Sequence, residues 1–129
     1  MALPFMFFDL RTSDVPTARR FYGELFDWPI ADVPAGDRTI PMLTDGHDPW
    51  AGFTQLAPDD ERRPQWVPYV PVDDLDAATA RAKELGATVV RERVELAQGS
   101  LAVLDDPTGA ALVLWQHKEQ DRVSPGGDA

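Results

Sequence analysis

The chain is 129 residues long and 43% hydrophobic, with a formal net charge of −10 and no cysteine. That length suits one domain with its own core, and the lack of cysteine excludes disulfide staples, zinc–thiolate centres and a cysteine nucleophile. The acidic balance repels phosphate backbones and anionic lipid, so neither nucleic acid nor a membrane surface is an expected partner, and a cysteine-free composition fits a reducing cytoplasm.

The opening stretch MALPFMFFDL is apolar, but it carries no basic segment and meets Asp9 too early for a membrane span or a signal peptide. It reads as a strand over 4–12, with Phe5, Phe7 and Asp9 on one face and Met6, Phe8 and Leu10 on the other. Asp14 is a good helix N-cap, and Pro16 falls in the first turn, where a missing N–H costs little. The spacing predicts a helix over 15–25, burying Val15, Ala18, Phe21, Tyr22 and Leu25 and turning Arg19, Arg20 and Glu24 to water. Short strands follow at 29–33 and 38–43, around a hairpin turn at Ala35, Gly36 and Asp37. A longer turn at 45–49 leads into a strand over 50–56, and the polar segment APDDERRPQ follows.

The second half repeats this order. A strand is expected over 66–72, with Pro68 and Pro71 limiting its pairing. Asp73 or Asp74 caps a helix over 75–85, which Gly86 ends in a left-handed turn. Strands follow at 87–94 and 100–104, then a turn at Asp106-Pro107-Thr108-Gly109 and a last strand over 110–116. The tail 118–129 has little to bury and is expected to be loose. A shift of sixty residues lays Asp14 on Asp74, Ala18 on Ala78, Glu24 on Glu84, Asp45 on Asp105 and Ala51 on Ala111. The expected organisation is one two-copy domain over 1–117, with a first unit at about 4–57, a linker at 58–65 and a second unit at about 66–117. Its class is α+β: two βαβββ units whose mixed sheets curl around a concave pocket, helices on the outer face. One helix cannot cover both faces of four strands, so the other face must enclose a ligand or pack on something else.

Several residues are candidates for chemistry. Asp9 shares a strand face with Phe7; it can meet a ligand cation or act as a base, or simply pair with Arg11. His47 and His117 stand in a turn and after the last strand, without a third metal ligand at matching spacing. Trp50, Trp66 and Trp115 can line a pocket or a subunit contact, Tyr69 shares a face with Val67, and Trp28 reads as core. Glu92 and Glu95 alternate with Arg91 and Arg93 as on a solvated edge. No glycine-rich phosphate loop is present.

The stretches DLRTSDVPTARRFYGELFDW, YVPVDDLDAATARAKELGA and LDDPTGAALVLWQ resemble the vicinal oxygen chelate superfamily of glyoxalases, bleomycin-resistance proteins and extradiol dioxygenases. In metal-using members, the first and last strands of each copy supply His, Gln or Glu ligands. Carried over by motif, those positions fall at Phe7, Val67, Val113 and Phe53, with Gly52 as the neighbouring choice for the last. None of these side chains can bind a hard or borderline cation. A one-residue slip would bring in Met6 or Phe8, Pro68, and Leu112 or Leu114, which cannot ligate either. The resemblance therefore implies a metal-independent small-molecule binder of the bleomycin-resistance type, without a cofactor, leaning away from an enzyme. It would be a cytoplasmic homodimer from a GC-rich bacterial genome, taking a small aromatic or cationic molecule. The ligand-binding set is Phe7, Asp9, Trp50, Phe53, Gln55, Val67, Tyr69, Val113 and Trp115, with Asp9 the one catalytic candidate. The alternative is a glyoxalase- or dioxygenase-like enzyme holding a divalent metal through donors drawn from Asp9, Gln55, Gln65, Gln116 and His117. A third reading is a dimeric interaction module with no small ligand.

Overall fold

Two aspartates set the helices. The Asp14 carboxylate accepts from the Thr17 backbone N–H at 3.2 Å and from its hydroxyl at 2.7 Å, and the Asp74 carboxylate accepts from the Ala77 N–H at 3.0 Å. Such caps stabilise a helix start by satisfying backbone N–H groups that have no partner within the helix. In the computed structural model, which describes residues 4–118, the elements run β1 (Phe7–Thr12), α1 (Val15–Phe26), β2 (Ile30–Ala35), β3 (Arg38–Thr44), β4 (Pro49–Gln55), β5 (Gln65–Pro71), α2 (Leu75–Glu84), β6 (Thr88–Glu95), β7 (Gly99–Asp105) and β8 (Ala111–His117). The expectation of a loose tail falls, past Lys118, outside the described residues. No described helix is long and apolar enough to cross a membrane.

The chain forms two compact units, Phe7–Val67 and the rest of the described chain, 4–6 with 68–118. In the first, the strand order is β2-β3-β4-β1, with β1 parallel to β4 and the other pairs antiparallel. In the second, the order is β6-β7-β8-β5, with β5 parallel to β8 and the rest antiparallel. The α+β class and the repeated βαβββ order are as expected. The first strand starts at Phe7 rather than residue 4, and the Met6 N–H donates to the Tyr69 carbonyl at 3.0 Å.

Each unit packs its helix on one sheet face. Leu10, Leu43, Ala51 and Phe53 form the first core, joined by Phe8, Val15, Ala18, Tyr22, Trp28, Ile30, Trp50 and Trp66. Leu75, Ala102, Leu104 and Leu114 form the second, joined by Val70, Val72, Ala78, Ala82, Val89 and Leu112. Gly86 takes the left-handed conformation (φ 103°) that ends α2.

Two expectations are corrected. Phe21 and Leu25 do not belong to a buried stripe: they are 55% and 59% exposed, and α1 has no fully buried residue. Tyr22 takes the inward position, its ring near-parallel to those of Phe26 and Trp28 and edge-on to Trp66. The repeat offset is sixty residues through the helix caps but sixty-one in the last two strands. Leu43 pairs with Ala51 as Leu104 pairs with Leu112. Asp45 and Asp106 each accept two backbone N–H groups from the turn that follows. Asp45 therefore corresponds to Asp106, and Ala51 to Leu112.

Candidate functional site

The sheet face turned away from the helix is the candidate site in each unit. In the first unit, β1 and β4 run parallel with Asp9 opposite Gly52, Leu10 opposite Phe53 and Arg11 opposite Thr54. Side chains alternate across a sheet, so Phe8, Leu10 and Phe53 go to the α1 core while Phe7, Asp9, Arg11, Gly52 and Thr54 share the other face. Gly52 is needed there: a Cβ on it would stand 3.3 Å from Asp9 Oδ1 and 3.4 Å from the Phe7 ring.

Asp9 is the buried polar centre of this face, 4% exposed. Its carboxylate accepts from the Thr54 hydroxyl at 2.7 and 3.0 Å and from Arg11 Nε at 3.1 Å. Burial pushes its pKa above the ordinary value, against the lowering pull of the Thr54 hydroxyl and the Arg11 charge. Arg11 is half-buried and Thr54 is exposed, so this trio runs from the interior to an open edge. Composition pointed to Asp9 alone. The expected alternative, pairing of Asp9 with Arg11, is what the structure shows; Thr54 was missed, although the period-two rule applied from Gly52 reaches it.

In the second unit, Tyr69 stands opposite Val113 and Pro71 opposite Trp115, with Val103 and Leu101 beyond them on β7. Tyr69 and Trp115 approach with ring centroids 6.3 Å apart. The Trp115 N–H donates to His117 Nδ1 at 3.2 Å. Gly99 makes room for this indole, since a Cβ there would come within 2.6 Å of it.

Other expected site residues lie elsewhere. Phe53 faces the α1 core, a correction that follows from the sixty-one-residue offset: the position matching Val113 is Gly52. Trp50 meets Trp28 edge-on at 4.9 Å, within the aromatic core beside α1. Gln55 turns to the helix start, accepting from the Val15 N–H at 3.2 Å and donating to the Ser13 carbonyl at 2.6 Å. Val67 and Val113 are 1% and 0% exposed, so they pack and offer no open surface. Phe7, Tyr69 and Trp115 are half-buried and keep some.

The metal implied by the resemblance does not fit these residues. Phe7, Gly52, Val67 and Val113 carry no donor side-chain atom. Among the described residues, no three of His, Cys, Asp or Glu gather closely enough to hold an ion. Of the donors named for the metal-binding alternative, Gln55 and Gln116 are engaged at helix starts and Asp9 by Thr54 and Arg11.

Residues 6–114 match the model of the glyoxalase-like domain. The chain is 34% identical over 113 residues to a protein of Mycobacterium bovis named glyoxylase CFP32, covering 84% of this chain and 43% of that one. It is 35% identical over 111 residues to the anthracycline biosynthesis protein DauV of Streptomyces sp. strain C5, covering 86% of this chain and 40% of that one. The chain thus spans less than half the length of these relatives. Among solved structures, methylmalonyl-CoA epimerase from Mycobacterium tuberculosis superposes with a TM-score of 0.58 at 16% identity, over 96% of this chain and 97% of that one, a likeness of fold.

Proposed function

The chain belongs to the glyoxalase-like domain family, and we propose that it binds a small planar aromatic molecule on the sheet faces away from its helices, without a metal. The observation that carries this reading is the residue content of the family's ligand positions, where Phe7, Gly52, Val67 and Val113 replace metal donors. Around them, Phe7 in one unit and Tyr69 with Trp115 in the other supply π-faces for stacking. Two relatives named as anthracycline biosynthesis proteins support a polycyclic aromatic ligand class. Sequestration of such a compound, as in bleomycin-resistance proteins, is the activity in keeping with Phe7, Gly52, Val67 and Val113 at those positions. A cationic ligand is less well supported than composition implied, because Asp9, the carboxylate that would meet it, is already held by Arg11 and Thr54.

The partner for the outer surface is a second copy of this chain. Phe21 and Leu25 lie one turn apart on α1, each more than half exposed. Apolar patches of this kind mark interaction surfaces. The relatives carry more additional chain than the matched segment itself, enough to supply a further unit of this size within one polypeptide.

The test is metal analysis of purified protein incubated with zinc, nickel, manganese or iron(II) and desalted. Retention well below one ion per chain is the expected result. One tightly held ion per chain would return the metal-dependent lyase or dioxygenase reading to first place.

A further inference from the structure

Resting on the proposed ligand-binding face, we infer that Arg11 is an oxyanion-recognition residue, held in place by Asp9 and Thr54, and that the ligand carries a carboxylate, an ionised phenol or an ionised enol on its planar frame. The geometry is specific. Asp9 engages the guanidinium through Nε alone, at 3.1 Å. Among the described residues no hydrogen bond reaches Nη1 or Nη2. A guanidinium presents five N–H donors in a rigid fork, and its end-on Nη edge matches two acceptor oxygens. Here that edge is left free, on a side chain 22% exposed, while the carboxylate beneath it is 5% exposed. The ion pair therefore turns its positive end outward, so the local potential opposes the −10 net charge of the chain.

The internal repeat argues that the trio is not there for folding. Asp9, Arg11 and Thr54 correspond in the second unit to Tyr69, Pro71 and Trp115, by strand pairing. The same fold is thus built with uncharged groups at all three places. A buried ion pair is seldom more stabilising than well-packed apolar residues, so its presence in one unit alone points to recognition. Asp9 acts here as a positioning residue: its oxygens are directed at Thr54 and Arg11.

A matched pair of dyes tests this. 8-Anilinonaphthalene-1-sulfonate and N-phenyl-1-naphthylamine share a ring system and differ by one sulfonate, which stands in for the ligand's oxyanion. Their affinities are measured by fluorescence titration on the wild-type chain, on Arg11→Gln, and on Arg11→Gln combined with Asp9→Asn, which leaves no unpaired buried charge. The wild type is expected to bind the sulfonate at least tenfold more tightly than the neutral dye. Both variants are expected to bind the two dyes with comparable affinity. A preference for the sulfonate that survives in the doubly substituted chain, or equal binding of both dyes by the wild type, would overturn the role of Arg11 and leave the aromatic-binding reading standing. Failure of either dye to bind the wild type would overturn both.

Discussion

Gln116 occupies in the second unit the place that Gln55 occupies in the first: each sends its Oε1 to the first backbone N–H of its unit's helix, Gln116 to Leu75 at 2.6 Å and Gln55 to Val15 at 3.2 Å. The last strand of each unit thereby satisfies a helix-start donor that has no partner within the helix. Gln116→Ala is expected to cost about 1–2 kcal/mol, since its bond is shorter and partly buried, and Gln55→Ala about 0.5–1 kcal/mol. Urea unfolding of the two variants checks the order. Neither is expected to alter ligand affinity.

Asp9 is expected to titrate above the ordinary aspartate value of 3.8, because burial outweighs its hydrogen bonds. Asp14, Asp45 and Asp106 are expected below 3.8, the first and last led by a threonine hydroxyl and the middle one by the Asp48 and His47 backbone N–H groups. The signs oppose one another. The Asp9 contribution to stability is complete below pH 3.8 and is lost as pH rises through its raised pKa. The contributions of the other three are present above 3.8 and are lost as pH falls through their lowered values. Carboxyl carbon shifts followed by NMR from pH 2 to 8 would show both behaviours, and a midpoint for Asp9 below the other three would contradict the burial argument.

Much of the fold was legible because its signals are local. Asp14, Asp74 and Gly86 mark helix ends through their own backbone chemistry, and alternation in FMFFDL places Asp9 opposite Leu10. The site was legible only in part, because it depends on register between distant strands. A single added residue in the second unit moved the position matching Val113 from Phe53 to Gly52 and so turned one expected pocket residue into core. Helical spacing put Phe21 and Leu25 inside, yet the first core is narrow and Tyr22 with Trp28 fills it. Periodicity reports which residues share a face, not how much of that face the sheet can cover.

Thr54→Val removes one donor from a buried carboxylate while keeping side-chain volume. It is expected to destabilise the chain by about 1–3 kcal/mol and to raise the Asp9 pKa further. Thr54→Ser, which restores the hydroxyl, is expected to recover most of the loss. Thermal melts of the pair, with the Asp9 carboxyl followed by NMR, separate the hydrogen bond from the lost packing of a methyl group.

Charge placed on the exposed side of α1 should break the inferred self-association. Phe21→Glu with Leu25→Glu is expected to shift sedimentation from dimer to monomer and to leave the circular dichroism spectrum unchanged, because neither side chain is buried in the single chain. A wild type that sediments as a monomer at tens of micromolar would remove the second copy as the partner of this surface.

The most direct test of the central claim is titration of the tryptophan fluorescence with daunorubicin, an anthracycline, in buffer containing EDTA and again with added nickel or zinc. Saturable quenching with the same affinity in both buffers is the predicted result. Quenching that appears only when metal is added, or no saturable binding in either buffer, would contradict an aromatic-binding face that works without a metal.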